Sequence, residues 1–181
     1  GNAAAFGGDQ GQTERQAEHQ IGVAVYQDAH AYSSAAANLT NNGSLDILAA
    51  ASASADEDAS ATAGVGIGVS QYAVATGDGG NASASIANNG SINVGAAANA
   101  LGGGDVYALA YADAVSQYAF GGSEGTANAN FDNNAPLLVS AYATALGGND
   151  GTASAFATAI YQDVGAGAGA SANVYNTDTI S

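Results

Sequence analysis

The sequence lacks cysteine, methionine and tryptophan altogether, and its 181 residues include one proline (Pro136) and one basic residue (Arg15). Because cysteine is absent, disulfide bonds and thiolate metal sites are excluded. Sixteen acidic residues give a formal net charge of −15. This charge excludes nucleic acids and anionic membrane surfaces as partners, since binding to either requires Lys and Arg. No apolar run approaches the ~18 residues of a membrane span, so no transmembrane segment is predicted.

Large apolar side chains are also scarce, and Ala, Gly, Ser and Asn dominate the composition. Chains of this composition are often disordered, because they cannot bury enough apolar surface. Here, however, the Val, Ile, Leu, Tyr and Phe residues recur at regular intervals, which a disordered chain does not require. The sequence therefore predicts an ordered domain with a thin core.

Two landmarks recur about every 45 residues along the chain. One is a Gln in stretches such as VYQDAHA and VSQYAVA, with spacings of 44, 46 and 45 residues. The other is an Asn-rich turn such as NNGSLDI and NNGSINV, with spacings of 47, 45 and 43 residues. The landmark residues are Gln27, Gln71, Gln117 and Gln162 for the first, and Asn41, Asn88, Asn133 and Asn176 for the second. Residues 1–181 are therefore predicted to be a single array of four repeats, with an irregular start over residues 1–20.

Between the turns, apolar and small side chains alternate with a period of two, which is typical of β-strands. Gly-rich and acidic clusters recur at steps of about 22 residues, which divides each repeat into two predicted coils. The sequence thus predicts an all-β, parallel β-helix-like solenoid of about eight thin coils with an Ala-rich core. A stack of antiparallel β-hairpins is the alternative, but it would scatter the repeated landmarks.

The landmark Gln and Asn residues fall at the same alternate strand positions as the inward-facing residues. Their amides are therefore predicted to point inward and to stack along the solenoid axis. Each amide can donate to and accept from its copy in another coil, which forms a structural ladder. Most Tyr residues have the other parity and are predicted to line the outer surface. These residues either cover the backbone and rigidify the Ala-rich sheet, or form an outer contact stripe where another fibre or a glycan would pack. The candidate stripe consists of Tyr26, Tyr72, Tyr118 and Tyr161.

Residues that carry catalysis are few. There is no Lys, and the two His residues, His19 and His30, lie eleven positions apart. No nucleophile elbow, zinc motif or phosphate-binding loop is present. The acidic residues repeat with the turns, whereas a catalytic pair of carboxylates would occur once. The sequence therefore predicts that the protein is not an enzyme.

Calcium is the one cofactor that the pattern suggests, as an alternative to acidic turns that are simply solvated. Carboxylates beside Gly recur in GDGG, GGGD, GGSEG and GGNDG, and stacked turns of this kind offer the oxygen ligands that calcium prefers. The complete nonapeptide of calcium-binding β-rolls does not occur. The candidate ligands are Asp78, Asp105, Glu124 and Asp150.

The recurring N-N-G-S-[LI]-x-[IV] followed by alternating Ala resembles the repeat arrays of secreted bacterial surface proteins. Over roughly residues 20–181 the sequence is similar to the passenger regions of autotransporter and filamentous-haemagglutinin-type adhesins. It is also similar to Ala/Gly/Asn-rich giant repeat proteins. That resemblance implies a secreted, extracellular or cell-surface β-solenoid in a filament, biofilm matrix or adhesin stalk. The chain departs from such passengers in having an Ala core instead of Val, Ile and Leu.

The expected function is accordingly structural: an extracellular fibre that grows by stacking of β-coils. The expected partners are further copies of the chain or the continuation of a longer chain. The alternative function is a calcium-dependent or carbohydrate-binding adhesin module, whose partners would be glycans.

Overall fold

The computed structural model describes residues 14–181 and the backbone of residues 4–5, and all of the regular structure in them is β-strand. No helix in this part of the chain is long and apolar enough to span a membrane. The strands are β1 (Ala4–Ala5), β2 (Glu14–Ala31), β3 (Ser34–Asn41), β4 (Leu45–Ser54), β5 (Asp58–Ala75), β6 (Asn81–Asn88), β7 (Ile92–Leu101), β8 (Val106–Phe120), β9 (Thr126–Asn133), β10 (Leu137–Leu146), β11 (Gly151–Gly165) and β12 (Gly169–Asn176).

The strands form three sheets, and every pairing between them is parallel. Sheet A has the order β1-β4-β7-β10, sheet B the order β11-β8-β5-β2, and sheet C the order β12-β9-β6-β3. The chain therefore passes through sheets A, B and C in turn and then repeats that path one layer further along. This arrangement confirms the predicted β-solenoid. It excludes the antiparallel hairpins, because each strand pairs with the strand three further along.

The predicted coil size was wrong. Gln27 lies opposite Gln71 and Gln71 opposite Gln117, so one whole repeat of about 45 residues makes one coil of three strands. The structure has four such coils instead of eight coils of ~22 residues. The error arose because Gly-rich acidic turns occur at two different corners of each coil: residues 77–80 join sheet B to sheet C, whereas residues 102–105 join sheet A to sheet B.

The predicted irregular start is also corrected where the structure describes it. Residues 14–20 lie in β2 and pair in register with residues 58–64 of β5. Residues 1–3 and 6–13, which belong to the same prediction, lie outside the described residues.

The core has two narrow arms filled by Ala and a wider centre filled by larger side chains. One buried cluster joins sheets A and B, and a second, made only of Ala residues such as Ala73, Ala84 and Ala127, joins sheets B and C. Ile86 and Phe131 of sheet C belong to the first cluster, so the three sheets meet there. Burying one methyl group contributes only about 0.8 kcal/mol. The stability of the arms must therefore come from many small contacts and from the continuous backbone ladders.

An aromatic side chain covers a glycine on the outer face of sheet B. Gly64 lies opposite Tyr111, and a Cβ atom on Gly64 would overlap the Tyr111 ring. Gly64→Ala is therefore expected to destabilise the protein by about 1 kcal/mol, because it displaces the ring from the sheet. In a Tyr111→Ala background the same substitution should cost nothing. Urea denaturation of the four proteins of this double-mutant cycle measures the difference, and equal costs in both backgrounds would contradict the packing.

Candidate functional site

Four Gln side chains form one hydrogen-bonded column through the solenoid. Gln71 Nε2 donates to Gln27 Oε1 at 2.7 Å, Gln117 Nε2 to Gln71 Oε1 at 2.9 Å, and Gln162 Nε2 to Gln117 Oε1 at 2.8 Å. The column also joins sheet B to sheet C. For example, Gln117 Nε2 approaches the carbonyl oxygens of Ala84 and Asn130 at 3.2 and 2.9 Å. Gln71 and Gln117 are fully buried, and these contacts satisfy their amides.

Four Asn side chains form a second column at the turn from sheet C to sheet A. Asn41 Nδ2 donates to Asn88 Oδ1 at 2.8 Å, Asn88 Nδ2 to Asn133 Oδ1 at 2.7 Å, and Asn133 Nδ2 to Asn176 Oδ1 at 2.7 Å. Here each amide donates towards the C-terminal coil, whereas each amide of the Gln column donates towards the N-terminal coil. The two columns therefore have opposite polarity, which sequence reasoning did not predict.

A third column, of exposed side chains, was missed. Asn89 Nδ2 donates to Asn42 Oδ1 and Asn134 Nδ2 donates to Asn89 Oδ1, both at 3.1 Å. The Thr177 hydroxyl then approaches Asn134 Oδ1 at 3.0 Å. The second Asn of each NN pair was the available signal, since it repeats with the same spacing as the first.

The predicted Tyr stripe is in register only at its middle. Tyr72 lies opposite Tyr118, but the positions that continue this row are Asp28 and Asp163. Tyr26 and Tyr161 lie two residues away, opposite Ser70 and Ser116. The inserted acids were visible in the sequence as YQD instead of SQY.

The Tyr rings nevertheless contact one another across these offsets. Ring centroids of Tyr72 and Tyr118 lie 5.9 Å apart, and those of Tyr118 and Tyr161 lie 5.7 Å apart. The rings are tilted by 48° and 52° to each other, so neighbouring rings of the stripe are not coplanar.

Tyr26 stands beside an acidic side chain at the outer end of this stripe. Partial desolvation raises the pKa of the Tyr26 phenol above its ordinary value, and the Asp28 carboxylate raises this pKa further. Asp28 also approaches His30 Nε2 at 2.9 Å, and the His30 ring lies 5.5 Å from the Tyr72 ring. Asp28 thus interacts with both Tyr26 and His30 on the outer face of β2.

The four candidate calcium ligands lie at two separate corners. Asp78 and Glu124 are in turns that join sheet B to sheet C, whereas Asp105 and Asp150 are in turns that join sheet A to sheet B. The described part of the chain contains no group of three or more acidic or His side chains arranged to hold a metal ion.

The corner between sheets A and B carries a longer acidic row than the sequence reasoning found. Glu14 lies opposite Asp58, and the neighbouring register pairs place Asp105 and Asp150 in the same row. These four side chains line a groove of about 440 Å³ together with Arg15. Asp58 Oδ1 accepts a hydrogen bond from the Asp105 amide at 2.8 Å, so this carboxylate supports the stacking of the corners.

In comparisons with known proteins, no family model matches the chain, and no curated protein or solved structure matches it either.

Proposed function

We propose that this protein is a structural component of an extracellular fibre, built by stacking of β-coils along one axis. The observation that carries this proposal is that the two internal amide columns run through all four coils and reach both end coils. Interior amides such as those of Gln71 and Asn88 join neighbouring coils by hydrogen bonds. Their physical effect is to lock the register between coils, which is what a mechanical rod requires.

The surface and composition support the same role. The acidic side chains of the described residues lie at turns and on outer faces, where a high net charge keeps a filament soluble. The Asn-rich, Ala-rich repeats resemble those of secreted bacterial surface proteins, and this resemblance supports an extracellular or cell-surface location. We therefore propose a filament, biofilm matrix or adhesin stalk as its setting.

Electron microscopy of the purified chain is expected to show unbranched filaments, with fibre diffraction at about 4.8 Å along the axis. Ala155→Lys should abolish these filaments. Ala155 lies opposite the buried Ala110 but is itself exposed, because it belongs to the last coil. A charged side chain at this position opposes the stacking of a further coil. Phe156→Lys is the matched control: Phe156 points outward and is 62% exposed, so its filaments should persist. Discrete small particles from the unaltered chain under all solution conditions would contradict the proposal.

A further inference from the structure

The two ends of the described solenoid have unpaired strand edges. At one end, β11 pairs only with β8 and β12 only with β9. At the other end, β2 pairs only with β5 and β3 only with β6. Within the part of the chain that the structure describes, the outer backbone groups of these strands have no ladder partner. Such edges template the addition of further strands.

The amide columns end in complementary groups. At the last coil, the Gln column ends with the Oε1 acceptor of Gln162, since Gln162 uses its Nε2 to reach Gln117. At the first coil, Gln27 presents Nε2, which among the described residues donates only to the Asn38 carbonyl. The Asn column is the reverse. Asn176 ends it with Nδ2, which donates to the Asp178 carbonyl and has a second N–H, and Asn41 begins it with Oδ1, which accepts from the Gly43 amide and has a second lone pair. One end therefore matches the other end of an identical molecule, and it does not match itself.

Sheet A contains two partial strands that also fit together. Ile180 bridges to Leu137, which places it at the register position that Leu45 takes in its own layer. β1 pairs with β4 through Ala4 opposite Ala50. Ile180 thus takes the register position of Leu45, whereas Ala4 and Ala5 take those of Ala50 and Ala51. In one layer of sheet A the two segments would therefore lie end to end.

We propose that a second copy of this chain stacks head to tail on the last coil, in the register of one further repeat. This inference rests on the proposed fibre function and specifies its joint. Strand β2 of the second copy pairs with β11, and its β3 pairs with β12. Gln27 of the second copy donates to Gln162 Oε1, and Asn176 donates to Asn41 Oδ1 of the second copy. The segment around Ile180 and the second copy's β1 share one layer of sheet A.

This register also accommodates the large inward side chains of the first coil. Arg15 and His19 take the positions of Ala59 and Ala63, and their Nη1 and Nε2 atoms are buried without a hydrogen-bond partner among the described residues. At the joint, Arg15 of the second copy faces Gly151, by the register of the sheet B strands. Glycine leaves room there for the guanidinium group.

The joint brings like charges together, which makes assembly dependent on salt. Asp163 faces Asp28 of the second copy, and Asp150 faces Glu14, because each pair occupies one row of sheet B. Carboxylates about 5 Å apart at a surface repel each other. Light scattering should therefore show faster assembly at ~500 mM than at ~10 mM NaCl, where the screening length is about 30 Å. Asp28→Asn/Asp163→Asn should weaken this dependence more than Glu57→Gln/Asp113→Asn, which removes the same charge away from the joint.

Disulfide trapping tests the register directly, because the chain has no native cysteine. In the proposed joint, the cysteines of Asp28→Cys/Asp163→Cys lie on adjacent strands about 4.8 Å apart, within reach of a disulfide. Within one molecule the same two positions are about three strand spacings, or ~14 Å, apart. Oxidation should therefore yield a ladder of linked multimers on a non-reducing gel. The control Asp28→Cys/Tyr161→Cys is offset by two residues, about 8 Å between Cα atoms, and should yield at least tenfold less.

The outcomes separate the joint from the fibre proposal. Equal linking of the two double variants, or linked dimers from Asp163→Cys alone, would overturn the head-to-tail register. Filaments in electron micrographs without linked multimers would overturn the register and leave the fibre proposal standing. Linked multimers without filaments would support the register and reject the fibre, and the absence of both would reject both. Circular dichroism of each variant verifies that the strands have formed.

Discussion

Gly122→Ala is expected to lower the free energy of unfolding by about 3 kcal/mol, because it introduces a methyl group where two stacked turns touch. A Cβ atom at Gly122 would overlap the carbonyl oxygen of Gly77 in the preceding coil. The Gly122 amide also donates to Gly80 O at 2.9 Å, and its carbonyl accepts from Gly167 at 3.0 Å. The obstructing atoms are backbone atoms of Gly77 and Asp78, so the corner can relax only by separating these two coils along the axis.

Gly79→Ala provides the matched control in the neighbouring turn. A Cβ atom at Gly79 would meet no atom within 4 Å, so this substitution should be neutral or stabilise by up to about 0.5 kcal/mol through the unfolded state. Urea denaturation followed by circular dichroism measures both variants. Similar stabilities for Gly122→Ala and Gly79→Ala would show that the corners are not packed as tightly as the structure indicates.

Gln117→Leu is expected to lower the free energy of unfolding by about 4 kcal/mol, because it leaves several buried polar groups without partners. The Gln117 amide contacts Gln71 and Gln162 and the carbonyl oxygens of Ala84 and Asn130. Leucine fills most of the volume but bonds to none of these groups. Each buried group left unpaired costs about 1–3 kcal/mol.

Two variants show whether this cost comes from the column. Gln162→Leu should cost less than Gln117→Leu, because Gln162 is only partly buried in the last coil. Gln20→Leu should change stability by less than about 0.5 kcal/mol, since Gln20 is exposed on β2. Equal values for all three, from urea denaturation, would show that the Gln column does not contribute to stability.

The hydrogen-bonded columns could be anticipated where landmark residues repeat at a fixed spacing in the sequence. Gln71 and Gln117 recur at 46 residues, and they are bonded to each other because one coil has that length. Prediction failed where the direction of a hydrogen bond, from donor to acceptor, depends on side-chain rotation. Nothing in the spacing of Asn88 and Asn133 tells which amide donates, and therefore the opposite polarity of the two columns required the structure.

The sequence by itself determined that the chain is a β array with a repeat of about 45 residues. Alternation with period two follows from the geometry of a strand, and landmarks that recur at a fixed spacing reveal the length of the repeated unit. It also determined which side chains face inward, such as Leu45 and Ile92 and the Ala residues that follow them. Only the tertiary structure decided that one repeat closes one coil through three sheets. The number of strands per coil depends on the angle at each corner, and that angle is set by how turns stack and by how Phe131 and Ile86 fill the centre where the sheets meet.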